Sequence, residues 1–205
     1  MPESDTAPIS SAPELPAHKR PKPGERRVQI LQALATMLEQ PGSERITTAA
    51  LAARLSVSEA ALYRHFASKA QMFEGLIDFV DQSVMGLIRQ VTDREPAGPQ
   101  QAGRIVALLL QFAEKNPGMS RVMNGEALAF EHDRLQERIN LLFDKIEAQL
   151  RQSLKTADAP ASNAEVQVVA SLLVAFMQGR LQRFARSGFK RLPSEHLQAA
   201  LTRML

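Results

Sequence analysis

The sequence predicts an all-α protein: a small helix-turn-helix unit near the N-terminus, followed by a larger helical body. Three observations lead there. Apolar residues recur at steps of three and four over long stretches, while no strand-like alternation persists beyond a few residues. Proline-containing breaks fall at wide intervals, at 41–44, 93–100, 116–118 and 159–160. Several periodic stretches also begin at a serine or threonine placed where a helix N-cap belongs.

Residues 1–24 hold six of the twelve prolines and no apolar periodicity, which predicts a disordered tail. It ends in a basic arm, "HKRPKPGERR", that runs into the first helix. That helix is expected over 25–40, with Val28, Leu31, Leu34, Ala35 and Leu38 on one face. "PGSE" at 41–44 stops it. Thr47 or Thr48 then caps a short helix, "AALAARL", with Leu51 and Leu55 inward. "SVS" forms a turn, and Ser58 caps a second short helix, "EAALYRHF". Ser68, with Gln71 three residues on, has the capping-box spacing. It opens a long helix in which Met72, Phe73, Leu76, Ile77, Val80, Val84, Leu87 and Ile88 form the apolar face. Further helices are expected over 101–115, 117–124, 126–155 (with a break near His132), 163–187 and from 195 onward. The domain reading is a tail at 1–24, a helix-turn-helix unit at 25–70 and a helical body at 71–205.

Composition narrows the function. With 205 residues, 44% of them hydrophobic, the chain has ample means to build a core. It has no cysteine, which excludes disulfides and thiolate metal sites. No N-terminal stretch has signal-peptide character, and the apolar runs near 105–110 and 168–177 are too short to span a bilayer. The expectation is a cytoplasmic protein without membrane association. The net charge is only +3, but residues 19–69 carry nine Lys/Arg against four Asp/Glu, a local +5. Such a field on a small unit suits a polyanion.

Two short helices joined by a three-residue turn, after a longer one, make a helix-turn-helix. The early residues of its second helix face base edges in the major groove of double-stranded DNA. Ala61, Leu62 and Phe66 fall on the packing side; Glu59, Ala60, Tyr63 and Arg64 fall outward. Thr47 can offer a hydroxyl and a free backbone N–H to a phosphate. Lys69 can reach a second phosphate as a point charge. Tyr63, His65 and Lys69 then form a polar, partly cationic rim, and Ser58 sets the angle of the helix behind it. Further along, Val166, Val169, Leu172, Leu173, Phe176, Met177 and Leu181 make a stripe too broad for one contact. A homodimer follows, with Val169, Leu172, Leu173, Phe176 and Met177 at its interface.

"ITTAALAARLSVSEAALYRHFASKAQMFEGLI" at 46–77 resembles the DNA-binding domain of TetR-family regulators, with its Thr-led helix, short turn and "LYRHF.SK" segment. "NPGMSRVMNGEALAFEHDRLQERINLLFDKIEAQLRQ" at 116–152 and "RFARSGFKRLP" at 183–193 are similar to the nucleoid occlusion branch of that family. The resemblance covers about residues 25–193. It implies a nucleoid-associated dimer that binds palindromic chromosomal sites. When DNA-bound, it would engage FtsZ, the tubulin-like division protein, and block ring assembly over the nucleoid. By position, the resemblance implies that Thr47, Ser56, Tyr63, His65 and Lys69 contact DNA, and that Phe79, Leu108 and Lys115 face FtsZ. Three positions depart from the pattern: Ala50 stands in place of a lysine, Ser56 in place of a turn glycine, and Gln111 in place of a glycine in the partner groove.

An enzyme is not expected. There is no Gly-rich phosphate loop, and His18, His65, His132 and His196 lack ligand spacing, so neither metal nor cofactor is implied. "FEHD" at 130–133 reads as a polar helix end. The alternative within the same fold is a ligand-controlled repressor with an apolar pocket in the body. "IVALLLQF" at 105–112 offers few convergent polar groups and favours a packed core.

Overall fold

The computed structural model describes residues 24–40, 46–155 and 162–205. The proline-rich tail, the stop at 41–44 and the break at 159–160 lie outside the described residues. Those described form nine α-helices and one 3-10 turn, with no strand.

Helix α1 (Glu25–Leu38) buries Ile30, Leu34, Ala35 and Leu38. Val28, expected inward, is 53% exposed. The i, i+4, i+8 line starting at Ile30 sets the inner face, and two residues earlier falls on the far side of the helix. Helices α2 (Thr48–Arg54) and α3 (Glu59–Tyr63) follow. Helix α3 is shorter than the eight residues expected: after Tyr63 the chain tightens, and the N–H groups of His65 and Phe66 share the Leu62 carbonyl. The long α4 (Lys69–Thr92) runs unbroken through residues 70 and 71. Its first turns close the helix-turn-helix unit and the rest enters the body, so one apolar core extends from Ile30 to Leu201.

In the body, α5 (Pro99–Lys115), α6 (Pro117–Met123), a 3-10 turn (Glu126–Leu128), α7 (Asp133–Leu154), α8 (Asn163–Arg186) and α9 (Leu197–Met204) succeed one another. The expected break near His132 is present, and the His132 ring nitrogen accepts from the Arg134 N–H as the cap of α7. Ile105, Val106, Leu109, Leu110, Leu135, Ile139, Leu142 and Ile146 fill the centre. By length and composition α8 alone among the described helices could cross a membrane. Its Val166, Ala170, Leu173, Met177 and Leu181 are buried against the chain's own helices, and Val168 and Leu172 on the other face are exposed.

Helix α6 fastens the body to α1. A Cβ at Gly118 would stand 2.0 Å from the Ala35 carbonyl oxygen, so only glycine permits this backbone approach. The buried Arg121 donates to the Leu38 and Gln40 carbonyls at 3.1 and 3.0 Å, closing the C-terminal end of α1. It also pairs with Glu126 at 3.2 Å and lies 5.0 Å from the Phe189 ring centre.

Candidate nucleic-acid interface

The three N-terminal caps fall where local chemistry requires. The hydroxyls of Thr47, Ser58 and Ser68 accept from the N–H groups of Ala50, Ala61 and Gln71, opening α2, α3 and α4 in turn. The Gln71 amide does not complete a capping box; it accepts from the Ala67 N–H, one residue before the cap. A reciprocal capping box is found at α8 instead, between Ser162 and Glu165. Those bonds from the Ser162 backbone and hydroxyl hold the Glu165 carboxyl below its ordinary value.

Between α2 and α3, Ser56 adopts φ 53°, the left-handed conformation. Its N–H donates to the Ala53 carbonyl, while the Val57 N–H reaches back to Ala52. The turn then places Ser58 to cap α3. Thr48 donates to Glu59, joining the N-terminal ends of α2 and α3. Leu62 and Phe66 are buried at 0% and 1% exposure, and Tyr63 is 46% exposed. Arg64 is exposed and His65 half-buried. The outward set is therefore Glu59, Ala60, Tyr63 and Arg64, as the spacing predicts.

Lys69 departs from expectation. Its ammonium is paired with Glu131 and lies 5.7 Å from the Phe73 ring centre, so it is not a free cation on the rim. A lysine in the first turn of a helix opposes the helix dipole, and the carboxylate offsets that cost. Three more pairs continue the line between α4 and α7: Glu74–Arg134 at 2.8 Å, Asp78–Arg138, and Asp81–Lys145 at 2.7 Å.

Ten residues after Lys69, Phe79 is 48% exposed. It lines a groove of about 580 Å³ with Val28, Leu31, Ala35, Leu76 and Met119. Leu108 is half-buried and Lys115 exposed at the end of α5; neither belongs to the lining of that groove, although Asn116, the next residue, does. Gln111 is exposed. On α8 the five expected interface residues divide. Leu172 is 55% exposed and Val169 and Phe176 are half-buried, but Leu173 and Met177 lie inside the chain's own core at 0% and 1% exposure. A turn of 100° separates each neighbouring pair, so the broad stripe is two faces. Val168, at 58% exposure, joins Leu172 on the outer one; its place one turn before Leu172 was the available signal.

A capped helix-turn-helix carried on a larger helical body defines a bacterial DNA-binding regulator. Residues 30–76 match the family described as bacterial regulatory proteins, tetR family, and residues 100–204 match the tetracyclin repressor-like, C-terminal domain, SlmA-like. The chain belongs to the TetR family, in the branch of the nucleoid occlusion factors. It is 49% identical to the nucleoid occlusion factor SlmA of Shewanella woodyi over 176 residues, covering 84% of this chain and 89% of that protein. It is 50% identical to SlmA of Idiomarina loihiensis over 177 residues, covering 85% and 90%. Among solved structures, a transcriptional regulator from Rhodococcus sp. Rha1 superposes with a TM-score of 0.71 at 22% identity, covering 87% of this chain and 92% of that one. A TetR regulator from Legionella pneumophila gives 0.70 at 13% identity, covering 89% and 97%. These two share the fold. The relatives are named as regulators and occlusion factors, not as enzymes.

Proposed function

We propose that the protein is a nucleoid occlusion factor that binds palindromic chromosomal sites as a homodimer and, when DNA-bound, inhibits FtsZ ring assembly. The observation that carries this reading is that the likeness to SlmA runs through the body as well as the recognition unit, at about half identity. Thr47, Ser56, Ser58, Tyr63, Arg64, His65 and Lys69, which run from the cap of α2 through α3 to the first residue of α4, form the DNA-facing set. The exposed Val168 and Leu172, with half-buried Val169 and Phe176, supply an apolar face for an isologous contact. In such a dimer the two α3 helices stand roughly 34–36 Å apart, one turn of duplex. The FtsZ-facing residues are Phe79, Leu108 and Lys115. The apolar groove beside Phe79 and the charge of Lys115 suit an acidic peptide with apolar anchors. The location that follows is cytoplasmic, on the nucleoid.

The test is capture of purified FtsZ by the immobilised protein, with and without a specific duplex selected from a randomised palindromic pool. The expected result is retention that rises when the duplex is present. Retention equal to a bare resin in both arms would reject FtsZ as the partner and favour a ligand-controlled repressor of the same fold. Binding of the duplex itself should weaken steeply with added salt, because phosphate contacts release counterions.

A further inference from the structure

Helix α3 spans only Glu59–Tyr63, little more than one turn. A helix that short has almost no stability of its own, so its direction is set by what holds its two ends. The N-terminal end is held by the Ser58 cap and by Glu59 accepting from Thr48. The C-terminal end is held by Arg27, from the first turn of α1, thirty-eight residues before His65. Its guanidinium donates to the His65 carbonyl, just past the end of α3. The same guanidinium lies over the Phe66 ring, with its carbon 4.1 Å from the ring centre. Phe66 is the buried anchor that follows α3. One planar cation therefore grips both the trailing backbone of the recognition helix and the ring that fixes it.

Arg27 closes the basic arm whose charge suggests phosphate contact. Arg27 is exposed, yet its hydrogen bond and its stacking are both made to its own chain. We propose that Arg27 is a positioning residue that sets the angle of the recognition helix against α1, and is not a contact to the DNA backbone. This inference rests on the reading of α3 as the DNA-recognition helix. The chemistry requires arginine: a guanidinium can stack on a ring and donate in its own plane at once, whereas a lysine ammonium can do only one of these well.

The experiment measures duplex binding by fluorescence anisotropy across a salt series for the parent, Arg27→Ala and the milder Arg27→Lys. Two probes are used: a short duplex selected from a randomised pool by the parent, and an unrelated duplex of equal length. A positioning role predicts that both variants lose roughly tenfold on the selected duplex. It predicts no change on the unrelated duplex and a slope of log affinity against log salt equal to the parent's. A phosphate contact would instead weaken both duplexes alike and make the slope shallower by about 0.9. That result, or an Arg27→Lys variant that binds as the parent does, overturns the proposal. Thermal melts accompany the titrations: a purely structural role would lower the melting temperature without changing the ratio between the two probes, and this outcome also counts against it. A parent without preference for its selected duplex would instead sink the recognition-helix reading itself.

Discussion

Replacing Ser56 by glycine tests how the recognition helix is set into the fold. The residue sits at φ 53°, where the Cβ of an L-residue crowds the following carbonyl. That conformation costs about 1–2 kcal/mol for an ordinary residue. Glycine avoids the crowding, but the freer backbone of its unfolded state takes back roughly 0.5–1 kcal/mol. The expected balance is a gain of about 0.5–1 kcal/mol for Ser56→Gly. For a chain of this size, 1 kcal/mol corresponds to roughly 2–4 °C in melting temperature. Urea unfolding at one fixed protein concentration is the assay, because association shifts apparent stability. The midpoint should rise with the slope unchanged. Ser56→Ala is the control: it keeps the Cβ and the strain, and should stay within about 0.5 kcal/mol of the parent. If Ser56→Gly proves no more stable than Ser56→Ala, the strain argument is wrong. The pair also isolates the hydroxyl. If Ser56 contacts DNA through it, both variants lose the same affinity although only one gains stability.

Gly118→Ala should destabilise the fold by about 2–3 kcal/mol or more, because the new Cβ meets the Ala35 carbonyl of α1; thermal denaturation reads this directly. Leu172→Asp should leave a folded monomer in sedimentation equilibrium, whereas Leu173→Asp, one residue on and fully buried, should fail to fold. Phe79→Ala should cost no more than about 1.5 kcal/mol, since half of the ring is already in water, and should abolish retention of FtsZ while duplex affinity stays at the parent value. For Glu165 the folded-state carboxyl is held below its ordinary value, so its contribution is present above the ordinary carboxylate range and disappears as pH falls through the folded value. The stability difference between the parent and Glu165→Gln, followed by urea titrations from neutral pH into acid, should therefore shrink on acidification; a difference that grows would reverse the assignment.

What the sequence made legible was local. The caps at Thr47, Ser58 and Ser68 each act within three residues, and the face of α4 follows from its own period. Even the strained turn at Ser56 is foreshadowed, since the pattern that the segment resembles has a turn glycine there. What stayed hidden was long-range. The partner of Lys69 lies 62 residues away, and the Leu38 and Gln40 carbonyls that Arg121 holds lie 83 and 81 away. No periodicity announces such pairings, because the folded packing chooses among many carboxylates and carbonyls. Gly118 read as punctuation after Pro117, yet its absent side chain is what lets α6 lie on the backbone of α1. The breadth of the α8 stripe was visible, but which flank faced inward depended on where α5, α6 and α7 lay. That is why Leu173 and Met177, expected at the interface, lie in the chain's own core.

The pairing of Lys69 with Glu131 changes how its part in DNA binding must be counted. A solvated lysine that meets a phosphate gains an ion pair and releases a counterion. Lys69 is only partly solvated: its side chain is 28% exposed, and the carboxylate it faces is 9% exposed. Moving it to a phosphate exchanges one ion pair for another and leaves Glu131 in a poorly hydrated place. On the proposed reading, any affinity that Lys69 supplies is therefore the difference between two pairings. Removing the carboxylate with Glu131→Gln should strengthen DNA binding, whereas removing the lysine should weaken it by less than an exposed cation would. Glu131 sits two residues before α7, and α7 is joined to α4 by three further ion pairs. If Lys69 meets a phosphate, as proposed, the change would be felt first along the α4–α7 seam. That seam carries Asp78 and Asp81, the residues on either side of the partly exposed Phe79 and its neighbour Val80.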